Sequence, residues 1–274
     1  MSIGAPSTRA TRPSPNAGGV PAVLLEGVSK AYPYDGRPLE ALHAVTLHVA
    51  AAEFVTVVGP SASGKSTMLN LIAGLERPTG GAIRLHGRTI DGDVGLVAHM
   101  PQRDLLLPWR RLLDNVILGP ELQGVSREAA RAEARALLPR FGLEGFETAY
   151  PRVLSGGMRQ RAALLRTLLT HRDIMLLDEP FGALDALTRA QLQEWLLGIW
   201  DEFRKTVLFI THDVDEAVFL SDRVYVLSPR PGRVVLEVRI ELPRPRRREM
   251  RLTPAFAAAK RGLLDALFGL EGQS

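Results

Sequence analysis

The stretch FVTVVGPSASGKST, at positions 54–67, decides the fold class of this chain. Its first part, Phe54–Val58, is a nearly continuous β-branched run, and a run that is apolar on both faces predicts a buried parallel strand. Positions 59–66 fit the pattern G-x-x-x-x-G-K-[ST], and positions 68–74 show a helical pattern that closes at a glycine. A strand, a glycine-rich loop and a helix in this order predict a phosphate-binding turn.

The residue types in this loop suit the chemistry of phosphate binding. Gly59 and Gly64 allow the backbone to wrap around a phosphate, with successive N–H groups and the helix N-terminus directed at the anion. Lys65 can then reach the outer phosphates, and the Ser66 hydroxyl can bind Mg²⁺. The alternative is a glycine-rich turn that binds no ligand. The candidate cofactor-binding residues here are Gly59, Pro60, Ser61, Ala62, Ser63, Gly64, Lys65, Ser66 and Thr67.

Two carboxylates, Asp178 and Glu179, follow the apolar run at 174–177. The carboxyl end of a buried strand is where ligands bind in open α/β sheets. Asp178 can hold Mg²⁺ through water. Glu179 is the candidate general base, because phosphoryl transfer requires positioning, charge neutralisation and an oriented nucleophile. The alternative is an acidic turn at the end of a strand.

A second glycine motif, LSGGMRQR at 154–161, opens a second predicted helix that extends to about Thr170. The chain therefore has two helix N-termini that suit anions. One bound ATP would not need both of them from the same chain. A plain helix start after Pro151 is the alternative for this motif.

The rest of the sequence alternates between strand and helix patterns, which predicts a parallel sheet with covering helices. A helical insert is expected at about 105–165, with Ser126 as the cap of one helix. The other predicted elements are a strand at 174–177, a helix at 186–203, a strand at 207–210, a short helix after Asp213, a strand at 224–227, a half-exposed edge or antiparallel strand at 234–242 and an amphipathic helix at about 254–270. For the basic run at 244–251, a solvated face is the simpler expectation, and contact with lipid headgroups is the alternative.

Composition excludes several classes of protein. Lys and Arg number 34 against 30 Asp and Glu, and the arginines are mostly interleaved with acidic residues, so we expect no nucleic-acid partner. The absence of cysteine excludes disulfides, zinc–cysteine sites and a thiol nucleophile. No apolar run approaches the ~20 residues that span a bilayer, and residues 1–22 lack the apolar block of a signal peptide. These features predict a cytoplasmic protein with a disordered leader at 1–22.

Together, GPSASGKST, LSGGMRQR and LLDEPFGALD resemble the ATP-binding subunit of ABC transporters, in order and spacing, over almost the whole chain. The resemblance implies an α/β P-loop NTPase (RecA-like) core with an antiparallel β subdomain and a helical insert subdomain. In that family, the LSGG residues, here Ser155, Gly156 and Gly157, contact the γ-phosphate of the ATP held by a partner subunit. A homodimer that sandwiches two ATP molecules is therefore implied. The expected bounds are 23–243 for the ABC ATPase domain and 244–274 for the basic segment and C-terminal helix.

Further site residues follow from the resemblance. Gln102 matches the glutamine that joins Mg²⁺ and the attacking water and links the core to the helical insert. His212 matches the switch histidine on the γ-phosphate, and Asp185 matches the loop that crosses the dimer interface. Tyr32 matches the aromatic residue that stacks on adenine, with Tyr34 as its competitor. The implied catalytic residues are Glu179, His212 and Gln102, and the implied metal ligands are Ser66, Gln102 and Asp178.

Two positions depart from the family pattern. Ala52 stands where glycine is usual, which questions the turn into the strand that starts at Phe54. Pro101 stands where Phe is common, which questions the local packing of Gln102. Neither position is a phosphate ligand.

A finer resemblance, to importer ATPases of the nitrate, aliphatic sulfonate and taurine group, rests on four segments. It implies that the chain powers uptake of a small solute through a separate membrane permease, which meets residues 105–109. It also implies an extracytoplasmic solute-binding protein and a peripheral position on the cytoplasmic face of the inner membrane. Importers of pyrimidines share much of this signature, so the solute stays open. The segments are DLLLPW at 104–109, DNV at 114–116, LSPRPGRV at 227–234 and LPRPR at 242–246.

Three rival classes fit less well. An ABC ATPase of DNA repair or chromosome structure would need a long coiled coil between Lys65 and Ser155. A ribosome-acting ABC protein would need two cassettes in one chain. A P-loop kinase would lack the LSGG motif and would have an acceptor-binding lid.

Overall fold

The computed structural model describes residues 19–271, so the expected leader at 1–22 lies outside the described residues except for its last four. The strands are β1 (Val23–Tyr34), β2 (Arg37–Val49), β3 (Phe54–Val58), β4 (Gly80–Leu85), β5 (Arg88–Ile90), β6 (Ala98–Met100), β7 (Ile174–Asp178), β8 (Thr206–Ile210), β9 (Arg223–Leu227) and β10 (Val234–Arg239). The helices are α1 (Lys65–Ile72), α2 (Leu112–Val116), α3 (Leu118–Leu122), α4 (Arg127–Leu137), α5 (Gly156–Leu168), α6 (Ala186–Phe203), α7 (Val214–Leu220) and α8 (Pro254–Glu271). Within residues 19–271, no helix is both long enough and apolar enough to cross a membrane.

The predicted strand β3 lies in the interior of the larger sheet, between β8 and β9. This sheet has the order β10-β9-β3-β8-β7-β6, and its strands are parallel except for β10, which pairs antiparallel with β9 at the edge. Every residue of β3 is buried, and its polar member, Thr56, hydrogen-bonds to the Ser221 hydroxyl. The parallel order brings the carboxyl ends of β3, β6, β7 and β8 to the same edge, where polar residues follow.

Alternate residues of β3 belong to two hydrophobic cores. Phe54 and Val58 pack in the core that contains the apolar residues of α2, α4, α5, α6 and α7. Val55 and Val57 pack in the core that contains α1 and the smaller sheet. That smaller sheet is antiparallel, with the order β2-β1-β4-β5. Because both faces of β3 are covered, its pattern has no polar side, as expected for a buried parallel strand.

The turn before β3 forms although Ala52 replaces the usual glycine. Ala52 has φ 56°, in the left-handed region that costs an L-residue about 1–2 kcal/mol. Two hydrogen bonds hold the turn in place: Ala52 N–H donates to Thr206 Oγ1 at 3.0 Å, and Ala50 N–H donates to the Glu53 carboxylate at 2.8 Å. The departure therefore leaves the start of the strand unchanged.

Helices α2 to α5 lie between β6 and β7 in the chain. Ser126 caps α4 as predicted, since its hydroxyl accepts a hydrogen bond from the Ala129 N–H at 3.2 Å. The buried Asn115 accepts a hydrogen bond from the Leu107 N–H at 2.7 Å and donates to the Leu107 carbonyl at 3.1 Å. This side chain fixes the segment 105–109 against α2. The bounds 105–165 of a separate helical subdomain stay a prediction.

The C-terminal part differs from expectation in two respects. Strand β10 is the antiparallel edge strand that the sequence indicates, but it ends at Arg239 rather than at 242. The expectation of a solvated basic run is wrong for Arg244, whose side chain is 5% exposed, and for Arg246, which is buried, whereas Arg247 is exposed. The physical reason is that the two buried guanidinium groups have acceptors in the protein, including the Asp222 carboxylate, 2.8 Å from Arg244 Nε.

Candidate functional site

A cleft of about 430 Å³ opens beside the loop that follows β3. Most of the predicted nucleotide-binding residues share this cleft. Gly59 and Pro60 belong to the same loop but do not line the cleft. The lining residues are Tyr32, Leu39, Ala41, Ser61, Ala62, Ser63, Gly64, Lys65, Ser66, Thr67, Gln102, Glu179 and Arg230.

Both glycines of the loop are required by its geometry. A Cβ at Gly59 would lie 2.9 Å from the Leu227 carbonyl oxygen. Gly64 has φ +91°, and a Cβ there would lie 2.8 Å from the Ala41 carbonyl oxygen. Gly64 also caps α1 without a side-chain hydrogen bond, and the first turn of α1 has no acidic residue. The first N–H groups of α1 therefore have no side-chain acceptor, which is the arrangement that favours a bound anion.

The Lys65 side chain extends back into the loop. Its ammonium donates to the carbonyl oxygens of Gly59 and Pro60, both at 2.8 Å, and to the Ser63 hydroxyl at 3.3 Å. Burial lowers the pKa of Lys65, while the charges of Glu179 and Asp178 raise it in part. A cation thus lies next to two carboxylates at the same edge of the sheet.

Asp178 ends β7 and lies close to the start of α1. Burial raises the pKa of Asp178, and the neighbouring Glu179 charge adds to the rise. A hydrogen bond from Ser66 and the charge of Lys65 oppose this rise. The sheet therefore brings together a hydroxyl and a carboxylate, two oxygen ligands of the kind that Mg²⁺ prefers.

Glu179 is the meeting point of the three predicted catalytic residues. The Gln102 amide donates to Glu179 Oε2 at 3.2 Å, and His212 Nδ1 lies 3.3 Å from the same oxygen. The backbone places the carboxylate, because Glu179 has φ +43° and its N–H donates to the Ile210 carbonyl at 3.0 Å. The residues that follow β6, β7 and β8 thus converge on one carboxylate oxygen. Pro101 does not prevent Gln102 from reaching it.

The LSGG residues and Asp185 lie outside the cleft, at the neighbouring N-termini of α5 and α6. Ser155 caps α5 by accepting from the Met158 N–H at 3.2 Å, and Asp185 caps α6 by accepting from the Thr188 N–H at 3.0 Å. The Thr188 hydrogen bonds lower the pKa of Asp185. The two helix starts are neighbours, since a Cβ on Gly157 would lie 3.1 Å from Thr188 Cγ2.

The two candidate adenine-stacking residues have different surroundings. Tyr32 lines the cleft, and the Lys30 ammonium lies 4.9 Å from its ring centre, a cation–π contact that orients the ring. Tyr34 is 66% exposed and is not part of the lining. Position therefore favours Tyr32.

Three residues that line the cleft were not among the predicted site residues, namely Leu39, Ala41 and Arg230. Arg230 belongs to the loop between β9 and β10, which packs against the glycine-rich loop. A Cβ on Gly232 would lie 2.0 Å from the Ser63 carbonyl oxygen, and the Gly232 N–H donates to the Ala41 carbonyl at 2.9 Å. The only available signal was the LSPRPGRV segment, which pointed to a class of importer and not to the nucleotide site.

Comparison with known proteins agrees with this geometry. The family model described as ABC transporter matches residues 42–182. The taurine import ATP-binding protein TauB of Rhizobium johnstonii is 45% identical over 246 residues, which cover 86% of this chain and 92% of that protein. The nitrate import ATP-binding protein NrtD of Synechocystis sp. is 48% identical over 206 residues, which cover 74% of this chain and 76% of that protein.

Solved structures of ABC transporter cassettes share the fold. The dimeric structure of the cassette MJ0796 has a TM-score of 0.71 and 32% sequence identity, and the match covers 80% of this chain and 99% of that one. A second dimeric structure of MJ0796, in a post-hydrolysis state with ADP and Pi, matches equally well at 33% identity. These matches confirm the α/β P-loop NTPase fold with an antiparallel β subdomain and helices. The chain belongs to the ABC transporter family, as an ATP-hydrolysing cassette.

Proposed function

We propose that this chain binds ATP with Mg²⁺ in the cleft and hydrolyses it to power uptake of a small solute through a separate membrane permease. The observation that carries the proposal is the convergence of Gln102 and His212 on Glu179 Oε2, beside the uncapped start of α1. A purely structural turn would have no need of two polar side chains at one carboxylate oxygen. The relatives named for taurine and nitrate import support the importer class.

The residues at the site fit a nucleotide-bound Mg²⁺. Within residues 19–271, no group of three or more His, Cys, Asp or Glu side chains is placed to hold a metal ion by itself. Ser66, Gln102 and Asp178 offer only oxygen ligands, and Mg²⁺ characteristically combines few protein ligands with phosphate oxygens and water. When bound, Mg²⁺ would neutralise charge on the phosphates.

The chain's own residues divide the work of hydrolysis. Lys65 and the N–H groups of the glycine-rich loop bind the phosphates, and Tyr32 stacks on the adenine. Glu179 accepts the proton of the attacking water. Gln102 and His212 hold the carboxylate in place through their contacts with its Oε2 atom. Arg230, which also lines the cleft, offers the nucleotide a guanidinium, the side-chain group best suited to phosphate.

The second helix start is used by a second copy of the chain. Ser155 and Asp185 are exposed and lie outside the cleft, so they suit an ATP that is bound in the partner's cleft. Two copies facing each other would complete two sites, each with the glycine-rich loop of one chain and Ser155, Gly156 and Gly157 of the other. The dimeric cassette MJ0796 supports this arrangement.

The permease contact is assigned to residues 105–109. Leu105 and Trp109 are 57% and 72% exposed, a high value for large apolar side chains that are held by a fixed backbone. The backbone is fixed by Asn115 and by Arg166, which donates to the Leu105 carbonyl at 2.8 Å. We assign the chain to the cytoplasmic face of the membrane, where it serves a permease and, indirectly, an extracytoplasmic solute-binding protein, with no nucleic-acid partner.

Deletion of the gene for this chain tests the proposal. Uptake of taurine, an alkanesulfonate and nitrate would be measured separately in the deletion strain. We expect one uptake activity to be lost, and to return with the wild-type gene but not with Glu179→Gln. Normal uptake of all three solutes in the deletion strain would reject this solute group.

A further inference from the structure

The short helix α7 begins at Val214, two residues after His212, and residues 244–260 contact it at both ends. Neither the family match, which ends at residue 182, nor the proposed site gives these C-terminal residues a role. Their contacts are nonetheless concentrated on α7 and on the residues that fix its start.

Two buried arginines satisfy the carbonyl groups at the end of α7. Arg246 Nη1 donates to the Val218 and Phe219 carbonyl oxygens, both at 3.0 Å. Arg244 Nη2 donates to the Leu220 carbonyl oxygen at 2.7 Å. The last carbonyl groups of a helix receive no hydrogen bond from within the helix, and the helix dipole favours cations at this end. The two side chains therefore fix where α7 ends.

Two further cations of the same segment contact the beginning and side of α7. Lys260 Nζ lies 2.7 Å from the Asp215 carboxylate in the first turn. The Arg251 guanidinium lies 4.2 Å from the centre of the Phe219 ring and also donates to Gln193 Oε1 on α6. The segment 244–260 thus holds α7 along its whole length.

A buried hydrogen-bond relay continues from Arg251 to the residue before His212. Gln193 Nε2 donates to Glu216 Oε1 at 2.8 Å, and the Thr211 hydroxyl donates to Glu216 Oε2 at 2.5 Å. The Thr211 hydroxyl also accepts from the Asp213 N–H at 3.0 Å. His212 is therefore flanked on both sides by residues of this network.

We infer that residues 244–260 are a positioning clamp, which holds α7 and thereby keeps His212 Nδ1 at the Glu179 carboxylate. The clamp touches neither the cleft nor the reacting atoms. Its effect passes through the backbone at 211–213, so it should alter the rate of hydrolysis without altering nucleotide binding. The inference rests on the proposed role of His212 in ATP hydrolysis.

Arg246→Ala in the full-length protein tests the clamp, with Arg246→Lys as the conservative variant and the exposed Arg247→Ala as the matched control. We expect Arg246→Ala to lower kcat for ATP on the order of tenfold, because the end of α7 loses its charged donor. KM and the Kd for ATP should stay within about twofold, since the glycine-rich loop is untouched. Lysine should restore most of kcat, and Arg247→Ala should match the wild type.

Arg251→Met provides a second, independent variant in case Arg246→Ala does not fold. Methionine keeps an apolar contact with Phe219 but removes the donor to Gln193, so we expect kcat to fall about threefold at unchanged KM. Amide hydrogen exchange of residues 211–217 should become faster in both variants.

Several results would overturn the clamp. An unchanged kcat in both variants would refute it. A parallel loss of kcat and ATP affinity that lysine at 246 does not restore would show a general packing role instead. The proposed function is refuted by a different result. A wild-type protein that hydrolyses no ATP would refute that function and the clamp with it.

Discussion

The starts of α1 and α5 are both glycine-rich helix N-termini, but they treat their own N–H groups in opposite ways. The start of α1 has Gly64 as its cap, no side-chain hydrogen bond, and a cleft in front of it. The start of α5 is capped by the hydroxyl of its own Ser155, which is exposed and does not line the cleft beside the glycine-rich loop. An uncapped helix start suits a ligand that is bound by the same chain. A self-capped, exposed helix start suits a contact with a nucleotide that a second copy of the chain binds. Two anion-binding motifs on one chain therefore need not serve the same nucleotide.

The largest effect is expected at the carboxylate beside α1. Glu179→Gln should lower ATP hydrolysis by roughly 10²–10⁴-fold, the usual contribution of a general base, while ATP binding persists. Size-exclusion chromatography with and without ATP should show a trapped dimer, because closure is no longer followed by hydrolysis. Glu202→Gln, at an exposed carboxylate on α6, is the control. Hydrolysis at the parent rate would show that Glu179 is not the base.

The next effect concerns the cation of the uncapped start. Lys65→Ala should weaken ATP binding about 10- to 100-fold, because hydrogen bonds to a charged group contribute about 1.5–3 kcal/mol. Isothermal titration calorimetry measures the change. Lys205→Ala is the matched control, since the half-buried Lys205 pairs with Asp173 at 3.6 Å and does not line the cleft. An ATP affinity that survives the loss of Lys65 would count against the glycine-rich loop as the phosphate site.

A mixed dimer tests whether the two helix starts serve different nucleotides. When Lys65→Ala chains pair with Ser155→Arg chains, a composite arrangement leaves one site with both lesions and one site intact. We expect ATP-dependent closure, measured by cross-linking, to return in the mixed dimer and to be absent in each homodimer. Loss of the Ser155 cap costs only about 1 kcal/mol, so the variant should fold. A mixed dimer that closes no better than its parents would remove the role given to Ser155.

The smallest effect on the ATPase itself is expected at the exposed segment 105–109. Trp109→Ala should reduce transport severalfold and leave the basal ATPase activity of the isolated chain nearly unchanged, because large aromatic residues dominate protein interfaces. Uptake and hydrolysis are measured in parallel, with Val94→Ala as an exposed apolar control. An equal loss of both activities would place Trp109 in the catalytic core and contradict a contact with the permease.

Sequence patterns predicted the local structure closely where one short motif determines it. Strand β3 and helix α6 have the predicted bounds. Glu179 was expected from its place at the end of a strand, whereas Gln102 and His212, which contact it, were indicated by the family resemblance alone. Contacts between loops that are distant in the sequence leave no periodic pattern in it, so they could not be predicted. Arg230 reaches the cleft because the loop between β9 and β10 packs on the glycine-rich loop.

The basic run shows the same limit for charge patterns. Its consecutive arginines favoured a solvated face, because long charged side chains are rarely buried. Arg246 is 6% exposed because the end of α7 supplies carbonyl acceptors. Those acceptors are created by the fold and cannot be found from the run itself.

The close approach of Gly232 to Ser63 has a consequence for genetics. Any side chain at position 232 would press on the backbone of the phosphate-binding loop, although Gly232 and Ser63 are far apart in the chain. In a library of single substitutions selected for solute uptake, position 232 should be as depleted of alanine as Gly64. A natural substitution of Gly232 should therefore be interpreted as one that impairs nucleotide binding, and not as a neutral change in a surface loop.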